Sequence, residues 1–240
     1  MSSSAVTLLD VVNKIMIRLR DQAVTSITST IESTGGTPSY TDTIVRLIND
    51  ARREVEDCFN WTGLQQTITL TTAAGTGLYA LQNTPAEVYS NQRTRVLDVY
   101  NTTTDVRLSP RPFEWVRKQN QLSTRTDQEP YAYAVAGYNA SQTIQLQFFE
   151  TPDAVYSIDV ECIIPQEDLT TNTDYFKVPW YPVYLRALAL AIRERGEDEG
   201  EQSSEVEAAY RQALGNAIAY EQNHKWQAQG GGDWIVLGDY

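Results

Sequence analysis

"YSIDVECIIPQEDLTTNTDYFKVPWYPVYLRALALAIRERG", residues 156–196, contains the change of rhythm that decides the fold. In its first third Tyr156, Ile158, Val160 and Cys162 alternate with polar residues, the period of a strand with one buried and one wet face. After Pro165 the alternation stops. From Val183 to Ile192 the chain is apolar nearly all round, Pro182 suits a first helical turn, and Gly196 stands where a left-handed C-cap belongs. A strand that gives way to a central, buried helix places a β-region before it and a helical region after it.

Upstream, short runs rich in β-branched and aromatic residues repeat the two-residue period: "TITLT", "RVLDVY", "YAYAVAG" and "TIQLQFF", with weaker candidates at Leu78 to Leu81 and Val106 to Leu108. Turn-forming "NTTTD", "GYNAS" and "ETPDA" separate them. About seven such strands predict an antiparallel sandwich or barrel. "SPRPFEWVRKQN" breaks the series and predicts a short helix, bearing Phe113 and Trp115, over one edge.

The first sixty residues read as helical. Leu8, Val12, Ile15 and Leu19, with Leu9 and Met16, form one wide face over 5–21. A Ser/Thr-rich stretch with Gly35, Gly36 and Pro38 predicts an exposed loop, with a short extended piece at Ile27 and Ile31. A second helix is expected from an N-cap at Thr41 or Asp42. It buries Ile44, Leu47, Ile48, Ala51, Val55, Cys58 and Phe59 and turns Arg46, Asp50, Arg52, Arg53, Glu54, Glu56 and Asp57 to solvent.

Downstream of Gly196, Ser204 and Glu207 have capping-box spacing for a last helix with Val206, Tyr210, Ala213, Ala217, Tyr220 and His224 on one stripe. That helix runs to about Trp226 and is longer than a compact helical domain requires. The expected class is therefore α+β: a helical bundle made by both chain ends, an inserted antiparallel β-sandwich or barrel, and an extended tail. The expected divisions are 1–62, 63–166, 167–227 and 228–240.

The tail, "QGGGDWIVLGDY", sets a hinge of Gly230, Gly231 and Gly232 before an apolar hook of Trp234, Ile235, Val236 and Leu237. Burying the hook yields at most about 6 to 10 kcal/mol. Ordering its backbone costs about 10 kcal/mol, so one tail binds weakly and an array of tails binds by avidity.

Composition excludes several functions. The 31 acidic and 19 basic residues leave a formal charge of −12, which opposes wrapping nucleic acid for affinity. No apolar run approaches the roughly 20 residues of a membrane span, and no signal peptide is evident; a cytoplasmically made, soluble protein is expected. Two lone cysteines, Cys58 and Cys162, read as buried small hydrophobes. The single histidine, His224, falls on a packing stripe and has no triad around it, so neither nucleophilic catalysis nor a histidine metal site is expected.

The cluster Glu194, Glu197, Asp198, Glu199 and Glu201 lacks the alternation of a calcium loop and reads as a solvated turn. Glu87, Glu114, Glu129, Glu150 and Asp153 offer only a chance carboxylate pair for glycosidase-type work. The abundant tyrosines of "YAYAVAGY" and "VPWYPVY" predict core or interface packing ahead of sugar stacking. No catalytic residue, cofactor or metal is expected.

The order of parts resembles one known family. A helix pair precedes a β-domain that includes "EPYAYAVAGYNASQTIQLQFFETPDAVYSIDVECIIPQEDL". "VPWYPVYLRALALAIRERGEDEGE" and a long final helix come after it. The chain is similar in this to the head-to-tail adaptors of tailed bacteriophages, the group that includes tubular tail protein A of short-tailed phages. The matching features are a strand opening after Glu129 and Pro130, the Gly137 turn, a strand ending near Thr151, Pro152 and Asp153, the Tyr156 strand closing on Pro165, and the Ala-rich helix over 183–195.

The resemblance covers about residues 5–226. It implies a non-enzymatic virion subunit, assembled in the host bacterial cytoplasm as a ring, typically dodecameric, between portal vertex and tail nozzle. Tail fibres are further expected partners, and DNA passes the axial channel without sequence-specific binding or a membrane. An acidic lumen lets DNA slide without sticking. On this reading the hook, with Trp226, is a portal-binding arm. The alternative reading is a glycan- or fibre-docking β-module of another virion protein, and a third is a cell-wall hydrolase using a carboxylate pair.

Overall fold

A computed structural model describes residues 5–27, 39–82, 90–121, 127–196 and 201–228, with side chains of the last helix described to residue 223. The chain is α+β and divides into two compact units. One joins residues 1–63 to 166–240; the other is the continuous stretch 64–165.

Among the described residues four α-helices build the first unit. Helix α1, Leu8–Arg18, starts at Thr7, whose hydroxyl accepts the Asp10 N–H while the Asp10 carboxylate accepts the Thr7 N–H. Those bonds hold the Asp10 carboxyl below the usual carboxylate range. Leu8, Val11, Val12, Ile15 and Met16 are its buried face. After α1, Asn13 grips the backbone of Val24 from both sides, donating to its carbonyl and accepting its N–H at 3.0 and 2.8 Å. Ile27 is buried, whereas Ile31 falls outside the described residues.

Helix α2, Tyr40–Cys58, begins earlier than its sequence suggests. Ser39 is the N-cap and Asp42 completes the box as its third residue. Thr41 and Asp42 are equally good capping types; what selects Ser39 is that its carboxylate partner stands three residues on, so two orphan N–H groups are satisfied at once.

The apolar stripe is buried at Ile44, Ile48, Ala51 and Val55, but two members of the expected charged face are not outside. Arg52 and Glu56 are 0% and 1% exposed, and they pair at 2.6 Å. Cys58, expected inside, is exposed at the end of the helix, while Cys162 is buried.

Helix α4, Trp180–Arg195, is the centre of this unit. Val183, Leu185, Ala187, Leu188, Ala189, Ala191 and Ile192 are buried, and α4 packs on α1, α2 and the last helix. Gly196 adopts φ 66° and returns its N–H to the Ile192 carbonyl, the left-handed cap that a Cβ disfavours. Helix α5 spans Glu201–Ala228. Ser204 and Glu207 therefore lie inside it and form no capping box. Glu207 instead takes the charges of Arg186, Arg193 and Arg211.

The second unit holds two four-stranded sheets. Strands β1 (Gln65–Thr71), β3 (Arg95–Asn101), β4 (Val106–Arg107) and β8 (Ser157–Ile163) form the first, in the order β1-β8-β3-β4. Strands β2 (Leu78–Ala80), β5 (Ser109–Pro110), β6 (Ala132–Tyr138) and β7 (Ile144–Phe149) form the second, in the order β2-β7-β6-β5. All pairs are antiparallel except β5 with β6.

Among the described residues each sheet keeps free edges and no barrel closes. The alternating apolar residues of both sheets, among them Ile68, Val99, Leu146, Phe148, Ile158, Val160 and Cys162, share one buried cluster. Gly137, at φ 116°, takes a backbone bend next to the register shift beyond Val135.

Helix α3, Phe113–Asn120, is present but sits elsewhere than expected. It lies on β6 and β7, with Val116 against Ala132, Ala134 and Phe149 and with Phe113 and Trp115 beside them. It covers a sheet face, not an edge, because small Ala132 and Ala134 alternate with core-facing Tyr133 and leave room for a helix on the far side.

Candidate assembly surface

The part of the molecule that the sequence singles out for function is the long last helix together with the C-terminal tail. The first three turns of that helix are fixed by charge. Arg186 of α4 donates to Glu54 of α2 at 2.7 Å, lies with its guanidinium carbon 5.7 Å from the Tyr210 ring centroid, and is 3.9 Å from Glu207. Glu207 also meets Arg193 and, at 3.0 Å, Arg211. The Arg211 hydrogen bond, with the charges of Arg193 and Arg186, keeps the Glu207 carboxyl below its ordinary value. Buried Tyr210 donates to Glu54 at 3.3 Å, and burial, with the Glu54 charge as the second cause, pushes its phenol upward. One interlocked set of side chains thus ties α5 to α4 and α2.

Beyond Tyr210 the attachment thins. The predicted stripe continues half-buried at Ala213 and Ala217 and ends exposed at Tyr220, 68% accessible. A carboxylate oxygen of Glu221 accepts the Thr62 N–H at 2.7 Å. At 1.5 Å per residue α5, with 28 residues, is about 42 Å long, against about 24 Å for the 16 residues of α4, so roughly its last two-fifths has no length of α4 to lie on. Trp226 belongs to this distal stretch of α5; its side chain, that of His224, the hinge Gly230 to Gly232 and the hook Trp234 to Leu237 lie outside what the structure describes.

The chemistry elsewhere is that of structural contacts. Among the described residues no group of three or more His, Cys, Asp or Glu side chains is placed to hold a metal ion. Of the acidic turn, residues 197–200 are outside the described residues, as is Glu87. Glu129 accepts from Thr104 and Asn101. Asp153 accepts the Tyr156 hydroxyl at 2.6 Å and thereby pushes that phenol up to about 12. Burial pushes the Cys162 thiol up to about 12. Tyr131 packs its ring against Phe149 at 5.2 Å, and Tyr138 donates to the Gln92 carbonyl.

Sequence reasoning missed the polar clamp at the re-entry of the chain into the helical unit. Arg52, inside, binds Glu56, the Gln166 carbonyl and, at 2.9 Å, Asp168, which Arg53 also grips from outside. Asn49 exchanges two hydrogen bonds with the backbone of Leu169 at 2.9 and 3.0 Å. Nearby, Gly63 passes so close to Lys177 that a Cβ on it would stand 2.2 Å from the Lys177 carbonyl oxygen.

These contacts hold a closed helical unit assembled from both ends of the chain, with the β unit between them in sequence, and a family model described as SU10 adaptor protein matches residues 6–232. The chain belongs to the SU10 adaptor family. This is a family of phage adaptor proteins, so the chain is a structural adaptor component of a phage, and its partners are other head and tail proteins. The match carries the general resemblance to head–tail adaptors, not the narrower likeness to tubular tail protein A. It runs through both units and α5 and ends at Gly232, so the adaptor's apolar hook lies past the matched residues. No curated protein matches the chain. No helix among the adaptor's described residues is long and apolar enough to cross a membrane.

Proposed function

We propose that this adaptor forms a ring, dodecameric on the family resemblance, between the portal vertex and the tail of a tailed phage, with an axial channel through which the genome leaves. The observation that carries the reading is the adaptor-family match over nearly the whole chain. The role is structural, with no bond made or broken by the protein. On this reading the helical bundle comprises 1–62 and 167–227, the β-sandwich 63–166 and the arm 228–240.

A channel for DNA needs a surface that repels phosphate, and the chain's −12 charge supplies it. A specific candidate is the wet face of β1, β8 and β3. There Asp159 and Glu161 stand opposite Thr69 and Thr67, and Asp98 stands opposite Glu161 on the other side.

The arm, Trp226 with the Gly230 to Gly232 hinge and Trp234 to Leu237, attaches the ring to portal by ordering on contact. Tail nozzle and fibres meet the ring elsewhere. A second role, docking of a fibre or glycan by the β unit, is favoured by the half-exposed Tyr131, Val135 and Tyr138 on and just before β6.

Deletion of residues 228–240 tests the arm. The truncated adaptor keeps its circular dichroism spectrum and melting temperature and no longer co-sediments with portal. A folded truncation that attaches undiminished refutes the assignment.

A further inference from the structure

A basic cleft of about 980 Å³ lies in the helical unit of this acidic protein, between the second half of α1, α4 from Tyr184 to Arg195 and the first turns of α5. Among the described residues that line it, Lys14, Arg18, Arg20 and Arg195 stand against one carboxylate, Glu205. Ile17, 63% exposed, lies among them.

Neutral groups help to hold these cations in place. The Lys14 ammonium lies 4.0 Å over the Trp180 ring. Arg195 donates to the Leu19 carbonyl and covers the Tyr40 ring. Burial raises the Tyr184 phenol while the nearby Arg18 charge opposes it. A cleft with apolar walls and a cationic rim fits a peptide that is apolar in the middle and acidic at its ends.

We infer that this cleft receives the hook of a second copy of the chain. Residues 233–239, "DWIVLGD", carry four consecutive apolar side chains between Asp233 and Asp239, the pattern the cleft complements. Reach points to a second copy. Val206, at the α5 wall, is 22 residues from Ala228, where the described helix ends. That is about 33 Å along the helix. Residues 229–237 span at most about 32 Å fully extended, so the same chain's hook covers that distance only with every linker residue extended back along α5. Each copy then gives one hook and accepts one, a heterologous contact of the kind that closes rings.

The inference rests on the ring reading and not on portal attachment. A Trp-Ile-Val-Leu run, if left in solvent, would be a hazard for non-specific association. A neighbour's cleft shields it until portal competes for the same side chains.

Cysteine pairing in the full chain tests it, in a Cys58→Ser background. One variant carries Ile17→Cys at the cleft and another Val236→Cys in the hook. Mixed and oxidised, they give a disulfide-linked pair of chains, with at least a fivefold lower yield when Arg18→Glu and Arg20→Glu are added to the cleft partner. A yield no higher than that of Val155→Cys, exposed on the other unit, overturns the inference. So does intrachain closure as the main product of the Ile17→Cys, Val236→Cys double variant at high dilution.

A fluorescent peptide of residues 229–240 gives a second reading by anisotropy. It binds the intact chain and loses at least tenfold in affinity with the same charge reversals; unchanged affinity counts against the cleft. Ring formation on portal, read separately by particle mass, distinguishes failure of this contact from failure of the ring itself.

Discussion

Replacing Arg52 with alanine probes how the helical unit is closed. Arg52 is fully buried and makes three charge-assisted hydrogen bonds, to Glu56, to the Gln166 carbonyl and to Asp168. At about 1.5–3 kcal/mol each, the gross interaction is about 5–9 kcal/mol. Several kcal/mol of that are offset by dehydration of the guanidinium. Within the clamp, the truncation leaves Glu56, 1% exposed, with the Gln166 N–H at 3.3 Å as its donor. The carboxylate stays buried without the guanidinium that balances it.

Loss of one member of such a pair costs about 3–5 kcal/mol. The neighbouring Arg53 supplies an internal control. It binds the same Asp168 at 2.7 and 2.9 Å, but both side chains are about half exposed. Arg53→Ala should therefore cost less than about 1 kcal/mol.

The assay is urea unfolding of the three proteins. Circular dichroism at 222 nm would track helix loss, and amide exchange in α2 and α4 would separate the helical unit from the β unit. The reasoning fails if Arg52→Ala costs less than about 1 kcal/mol, or no more than Arg53→Ala. It also fails if Arg52→Met with Glu56→Leu is as damaging as the single truncation, since removing both charges should restore most of the loss.

Other perturbations read single contacts. Gly196→Ala meets no neighbouring atom among the described residues, but at φ 66° it should lower helical-unit stability by about 1 kcal/mol, read from the urea midpoint. Gly63→Ala should cost more, about 2–3 kcal/mol in the same assay, because its Cβ would collide with backbone that has no rotamer to yield. Glu207 has a folded pKa below its unfolded one, so its contribution is present above the unfolded value of about 4.3 and is lost as pH falls through the lower folded value. Glu207→Gln should accordingly flatten the fall of melting temperature between about pH 4.5 and 3, compared with wild type. In native protein a maleimide should label exposed Cys58, slowly because burial and then Glu54 and Asp57 raise its pKa, and should spare Cys162 until denaturant is added.

Periodicity decides how much of the fold is legible in the sequence. Strands β7 and β8 and helix α4 are read nearly to the residue, because Ile144 to Phe148, Ile158 to Cys162 and Val183 to Ile192 carry their period in their own side chains. The cap at Gly196 is legible because it needs a left-handed backbone, whereas Gly137, expected in a turn, lies within β6 at a register shift and the hairpin closes at Asn139 to Thr143. Partners distant in sequence are not legible. Arg52 and Glu56 look solvent-facing by type, and only the return of residues 166–168 to α2 shows that they are a buried clamp. Glu207 has the spacing of a capping residue, but three arginines claim it, two of them from α4. The basic cleft escapes a linear reading because Arg18, Arg20 and Arg195 converge from opposite ends of the chain. It also runs against a net charge that suggests only an acidic surface.

The most direct test of the adaptor account is mass photometry of the purified chain, of the portal protein from the same virus, and of their mixture. The account predicts that portal particles gain the mass of one closed ring of chains, in a single step that saturates. Portal particles whose mass does not change on mixing would contradict it.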